Sequence, residues 1–113
     1  MKAVLDTNFL LIPSEFRTDI YELLKFEGFN ELVVLSPVKR ELELVGDRVS
    51  LQLLEKNKHA LVEAEGSADD AIVEYAWKNK ATVCTQDKTL KKRLSALKIP
   101  VLTLRGGKVL RSA

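Results

Sequence analysis

The feature that most narrows what this chain can fold into is an alternation that runs along its whole length. Short apolar runs, each closed by a polar or turn-forming residue, take turns with longer amphipathic segments. Lys2 to Leu5, Glu31 to Leu35, Ala60 to Glu63, Ala81 to Cys84 and Ile99 to Leu104 have the length and side-chain content of strands. Between them, Arg17 to Phe26 carries Ile20, Leu23 and Leu24 at helical spacing. Ser36-Pro37 closes the second run, and proline suits the first turn of a helix, here extending to about Glu43 before Gly46 interrupts it. Val49 to Lys58 reads as another helix, and a further one, capped by Ser67 or Asp69, reaches about Lys78. Asp87 starts the last, with Leu90, Leu94 and Leu97 on one face. Strands alternating with helices predict an α/β fold with a mainly parallel sheet and helices on both faces. Gly106-Gly107 is a two-residue turn signal that either folds Lys108 to Leu110 back as a hairpin or begins a loose tail.

The 113 residues suit one domain spanning 1–113, and 46% hydrophobic content is ordinary for a globular core. The longest apolar runs reach four or five residues, far short of the roughly 20 that a membrane helix needs. The first run ends at Asp6, too soon for a signal peptide, so the expectation is a cytoplasmic protein that does not engage a membrane. Cys84 is the only cysteine, which excludes an intramolecular disulfide and a cysteine zinc cluster; its apolar surroundings predict a core thiol. His59 is the only histidine and lies between Lys58 and Ala60, with no nucleophile motif to serve. The net charge of +2 does not by itself mark a nucleic-acid binder. The cations are unevenly spread, however. Lys88, Lys91, Lys92 and Arg93 cluster in one segment, and Arg105, Lys108 and Arg111 follow; solvated faces and a phosphate-binding surface both fit.

Parallel α/β sheets bind ligands at the carboxyl ends of their strands, near the point where strand order reverses. Acids fall there repeatedly. Asp6 follows the first strand, Glu41 lies early in the helix after the second, Asp69 and Asp70 open the helix after the third, and Asp87 follows the fourth. Gathered at one sheet edge, these carboxylates would repel one another unless a cation joined them. An oxygen-only donor set favours a hard ion, Mg²⁺ or Mn²⁺, over zinc. Such an ion activates water against a phosphodiester without a protein nucleophile. Each acid also has a plainer role open to it: Asp6, Asp69 and Asp87 as helix caps, Asp70 as a first-turn residue, Glu41 as an exposed helical side chain. Asn8 and Thr85 flank the constellation, suited either to orienting a metal-bound water or to turn and strand-end packing. Trp77 reads as a core or interface residue rather than a base-stacking platform.

At these residues the chain resembles the PIN domains, from Met1 to about Leu104. Val4 to Leu11 looks like the family's first motif, Ser36 to Leu42 like the second, Ala68 to Ala76 like the third, and Thr82 to Leu90 like the fourth. Ile99 to Arg105 resembles the closing strand. The resemblance implies an α/β/α sandwich around a five-stranded parallel sheet. It implies endonucleolytic cleavage of RNA dependent on Mg²⁺ or Mn²⁺, with Asp6, Glu41, Asp69 and Asp87 as metal ligands. Aligned on Ile72 and Ala76, Asp69 matches the family's third acid, leaving Asp70 as a supplementary ligand or a cap. Homodimers are common among such proteins. The compact form is similar to an archaeal branch that includes ribosomal-RNA-processing nucleases, and VapC-type toxins are the other large group. A ribosome-assembly protein or an antitoxin is the corresponding partner. On this reading Lys88, Lys91, Lys92 and Arg93 contact the RNA backbone, so alanine at Lys91 or Lys92 should weaken binding and flatten its salt dependence. Two other readings are an inactive PIN-like binding module and a phospho-receiver-like signalling domain. The latter would want adjacent acids after the first strand, where Asp6-Thr7-Asn8 stands instead.

Overall fold

Ala3, Val4 and Leu5 are wholly buried, as expected for a strand with a neighbour on each side and helices over both faces. They belong to β1 (Lys2–Leu5), which lies at the middle of a sheet seen in the computed structural model of this chain, which describes residues 1–112. The strands β2 (Glu31–Leu35), β3 (Ala60–Val62), β4 (Thr82–Cys84), β5 (Val101–Arg105) and β6 (Lys108–Ser112) complete it in the order β3-β2-β1-β4-β5-β6. The first five run parallel, with Ala3 opposite Leu32 on one side and opposite Thr82 on the other. From β1 the chain steps outward to β2 and β3, then crosses back to β4 and steps outward the other way to β5. Right-handed crossovers put those two sets of connections on opposite faces. The reversal falls between β1 and β4, so the carboxyl ends of these two strands frame the crevice where such folds carry their chemistry.

The expected α/β architecture with a mainly parallel sheet is present, with one addition. Gly106 and Gly107 adopt φ of +57° and +75°, the left-handed region a tight two-residue hairpin demands, and β6 folds back antiparallel on β5 as a sixth strand. The alternative of a loose tail after Gly107 therefore falls.

Among the described residues, seven helices connect the strands: α1 (Thr7–Leu10), α2 (Ile12–Phe16), α3 (Ile20–Phe26), α4 (Ser36–Val45), α5 (Arg48–Lys56), α6 (Ala68–Asn79) and α7 (Lys88–Ala96). Two of them, α1 and α2, have no counterpart in the sequence pattern. Asp6 caps the first, Pro13 sits in the first turn of the second, and Arg17 at φ +52° ends it. The third helix accordingly starts at Ile20, with Asp19 as its cap, and not at Arg17. Ser67, not Asp69, caps α6, its hydroxyl accepting from the Asp70 N–H. The core is continuous across the sheet and includes Phe9, Leu10, Ile12, Leu35, Leu42, Ile72, Leu90 and Leu94. Cys84 is buried within it. Trp77 is not a core residue: it is 62% exposed near the end of α6.

Candidate active site

Asp6 is only 4% exposed, at the end of the central strand, and both of its carboxylate oxygens are engaged. Oδ1 accepts the Thr7 N–H at 2.8 Å, the bond that starts α1. Oδ2 accepts the Thr85 hydroxyl at 2.6 Å, a link between residues 79 apart in sequence. Thr85 is wholly buried, and its Oγ1 also accepts the Asp87 N–H at 3.1 Å. One hydroxyl thus fixes the acid after β1 against the acid after β4. Asn8 supports the same junction, its Oδ1 accepting the Gln86 N–H at 3.0 Å and lying 3.4 Å from Thr85 Oγ1. Asn8 and Thr85 both make side-chain hydrogen bonds at the strand-end turn, the plainer of the two roles open to them.

Asp87 caps α7. Its Oδ1 accepts the N–H groups of Thr89 and Leu90, which leaves Oδ2 without a protein hydrogen bond among the described residues. Capping and ligation are therefore compatible on this residue, one oxygen each. Glu41 is exposed in the second turn of α4, and its Oε1 accepts the Thr7 hydroxyl at 2.6 Å. Thr7 carries no signal of its own in the sequence, yet it touches two acids, Asp6 through its backbone and Glu41 through its side chain.

Helical geometry sorts the Asp69-Asp70 doublet, since neighbours on a helix point about 100° apart. Asp70 is exposed and turns to Arg93, whose Nη2 lies 2.9 Å from its Oδ1. Asp69 is half-buried, and its carboxyl is held above the usual carboxylate range by burial first, then by the negative charges of Asp87 and Glu41. The Asp6 carboxyl is likewise raised by burial, against the lowering hydrogen bonds of Thr85 and Thr7; Asp69 and Glu41 add to the rise. Asp69 also feels its neighbour Asp70 and, in the opposite sense, Arg93.

Among the described residues, no group of three or more histidine, cysteine or carboxylate side chains stands close enough to hold a metal ion as it is. The donor chemistry does fit a hard divalent cation. The acids are all oxygen donors, two of them have carboxyls raised by burial and mutual repulsion, and Arg93 is paired with Asp70. Nucleophilic alternatives are poor: burial pushes the Cys84 thiol up, out of its reactive range, and His59 lies beside β3, its Nδ1 2.8 Å from the Asn57 carbonyl oxygen.

Two further residues hold the site without any local signal in the sequence. The buried Ser36 hydroxyl donates to the Ala64 carbonyl at 3.2 Å and accepts the Ala64 N–H at 3.0 Å, fastening the start of α4 to the segment leading into α6. The Gln86 side-chain amide pairs with both backbone groups of Leu104. Of the cations expected to meet RNA, Lys88 and Lys92 are exposed and Lys91 is half-buried, all three outside ion pairs among the described residues, whereas Arg93 is paired with Asp70.

A protein family described as a PIN-like domain matches residues 3–107, which span every element of this site. The chain belongs to that family. Among PIN-domain relatives, it is 36% identical to Ribonuclease VapC4 of Methanocaldococcus jannaschii, covering 92% of this chain and 90% of the relative. It is 34% identical to Ribonuclease VapC9 of Archaeoglobus fulgidus, covering 88% and 79%. The structure of the PIN domain endonuclease Utp24 superposes with a TM-score of 0.87 at 27% identity, over 98% of this chain and 90% of that one.

Proposed function

We propose that this PIN-domain protein is an endoribonuclease that hydrolyses RNA phosphodiester bonds with Mg²⁺ or Mn²⁺ held by Asp6, Glu41, Asp69 and Asp87. The observation that carries the reading is that acids from four segments come to the strand ends at the reversal of strand order, with Thr85 joining Asp6 to Asp87 and Thr7 joining Asp6 to Glu41. Kinship to the two VapC ribonucleases and to the Utp24 endonuclease supports the substrate and the reaction class.

Each residue has a distinct task. Asp6 is the fixed member, pinned by Thr7 and Thr85 so that its position survives changes in the mouth of the site. Asp87 is fixed through its cap and keeps one oxygen for the site. Glu41, exposed and held by a single hydroxyl, is the member most able to adjust. Asp69 completes the set from α6, while the Arg93 guanidinium is paired with Asp70. A divalent cation bound by these oxygens would supply an activated water and neutralise charge on the scissile phosphate. Lys88, Lys91 and Lys92 draw the RNA backbone towards the acids, which would otherwise repel it.

The biological settings that share this chemistry are RNA processing, with a ribosome-assembly partner, and the toxin half of a toxin–antitoxin pair. A circular RNA tests the reaction class. A chain that cuts internally converts it to linear fragments in the presence of Mn²⁺. Binding without any linear product would instead support an inactive RNA-binding module.

A further inference from the structure

Strand β4 is only three residues long, and its ladder with β5 pairs Val83 with Val101 and Cys84 with Leu102. Past Cys84 the backbone turns away towards α7, after a last bond from the Thr85 N–H to the Leu102 carbonyl. Side chains then take over. The Thr103 hydroxyl donates to the Thr85 carbonyl at 3.1 Å. Gln86 donates from Nε2 to the Leu104 carbonyl at 2.7 Å and accepts the Leu104 N–H on Oε1 at 2.8 Å. This amide reproduces both halves of a peptide group and extends the sheet to the residue just before Arg105. The segment carrying Asp87 is thereby locked to the end of β5.

What it locks in place is a charged turn. Arg105 and Lys108 are register partners on either side of the tight Gly106-Gly107 turn, and both are exposed. Lys88 and Lys91 lie three apart on one face of α7, a helix that packs against β5. Burial first, then the positive charges of Arg105 and Lys88, lower the Lys91 ammonium from its usual range, against the opposing charge of Asp87. None of these four cations is in an ion pair among the described residues. Two other basic residues nearby are spoken for. Arg93 pairs with Asp70, and Arg111 binds the Glu27 side chain and carbonyl while lying over the Phe29 ring. Crowded, unpaired cations beside a carboxylate pocket are an arrangement that an anion relieves. An arginine at a hairpin tip offers a phosphate two parallel N–H donors.

We infer that the tip of the β5–β6 hairpin, through Arg105 and Lys108, forms with Lys88 and Lys91 a phosphate-binding wall for the RNA strand beside the carboxylates, and that Gln86 is the positioning residue that holds it there. This rests on the ribonuclease reading above and adds a second chain segment to the substrate surface.

The test is binding of a fluorescent single-stranded RNA across a salt series in EDTA, where cleavage does not intervene. Each phosphate that the protein no longer neutralises should lower the salt slope by about 0.7. Arg105→Ala should do so and weaken binding several-fold, while Arg105→Lys restores the slope. Gln86→Ala, which changes no charge, should also reduce the slope in EDTA, a readout that a merely structural residue away from the RNA would not move. Arg48→Ala on α5 is the control and should change nothing. An unchanged slope in Arg105→Ala, or wild-type protein that does not bind RNA in EDTA, overturns the inference. RNA that is bound with the expected slopes but never cut overturns the ribonuclease reading and leaves the wall standing.

Discussion

Arg93 Nη2 stands 2.9 Å from Asp70 Oδ1, and this ion pair divides two adjacent acids into different roles. Asp70 is exposed and bound to a cation, while Asp69 is half-buried and its carboxyl is raised by burial first, then by Asp87 and Glu41. The pair is solvent-exposed and so is worth at most about 1 kcal/mol. Asp70→Asn should therefore lower cleavage by no more than about fivefold. Asp69→Asn should remove it almost completely. Steady-state cleavage by the two variants decides the matter, and equal losses would put both acids in the site.

Thr7 ties the first two acids together, its N–H on Asp6 and its hydroxyl on Glu41. A side chain that orients metal ligands usually matters by about 10- to 100-fold in affinity or activity. Thr7→Val keeps the shape and removes the donor, so Mn²⁺ affinity and cleavage should fall within that range, and Thr7→Ser should retain both. Calorimetric titration of Mn²⁺ provides the check. A valine variant that binds Mn²⁺ as wild type does would reduce the Thr7–Glu41 contact to a surface hydrogen bond.

Thr85 serves Asp6 as donor and Asp87 as acceptor from a wholly buried position. Thr85→Val leaves a carboxylate oxygen and a backbone N–H unsatisfied, at a cost of about 2–3 kcal/mol. Urea denaturation should show a lower midpoint with an unchanged slope, and activity should fall beyond what the reduced stability explains. Wild-type stability in this variant would mean that the junction relaxes around the missing hydroxyl.

The raised carboxyl of Asp6 gives the metal-free protein a defined pH response. Burial is the leading cause, and it disfavours the ionised form in the fold. A folded-state pKa above the unfolded one means that the protonated acid favours folding. That contribution is complete below the ordinary carboxylate range and is lost as pH rises through the folded-state pKa. Asp6→Asn removes the ionisation and can still accept the Thr7 N–H. In EDTA, the variant should melt higher than wild type around pH 8, and the gap should close around pH 4. Adding Mn²⁺ should stabilise wild type and not the variant. A variant less stable than wild type at both pH values would contradict the assignment of strain to this carboxylate.

Much of the fold and the site is legible in the sequence, for physical reasons that also mark where legibility ends. Helices of nine or more residues, such as α4, α5, α6 and α7, are long enough for apolar positions to repeat and declare a period. Helices α1 and α2, four and five residues long, meet in Phe9-Leu10-Leu11-Ile12, an unbroken apolar stretch without a readable period. The acids are visible because strand ends are visible, and strand ends are where this topology places chemistry. The side chains that hold the acids are not. Thr7 meets Glu41 across 34 residues, Ser36 meets Ala64 across 28, and Gln86 meets Leu104 across 18. Such pairings depend on strand register and helix placement, which no local pattern encodes. The split between Asp69 and Asp70 likewise depends on Arg93, since either acid could face the site until a partner for one of them is known.

That these carboxylates cut RNA with a divalent cation is tested most directly by cleavage of single-stranded and hairpin RNAs by wild type and Asp6→Asn in Mn²⁺, Mg²⁺ and EDTA. Wild type should cut in either metal and not in EDTA, and the variant should not cut in any condition. Cutting that persists in EDTA, or that survives Asp6→Asn, would contradict a metal-dependent carboxylate site.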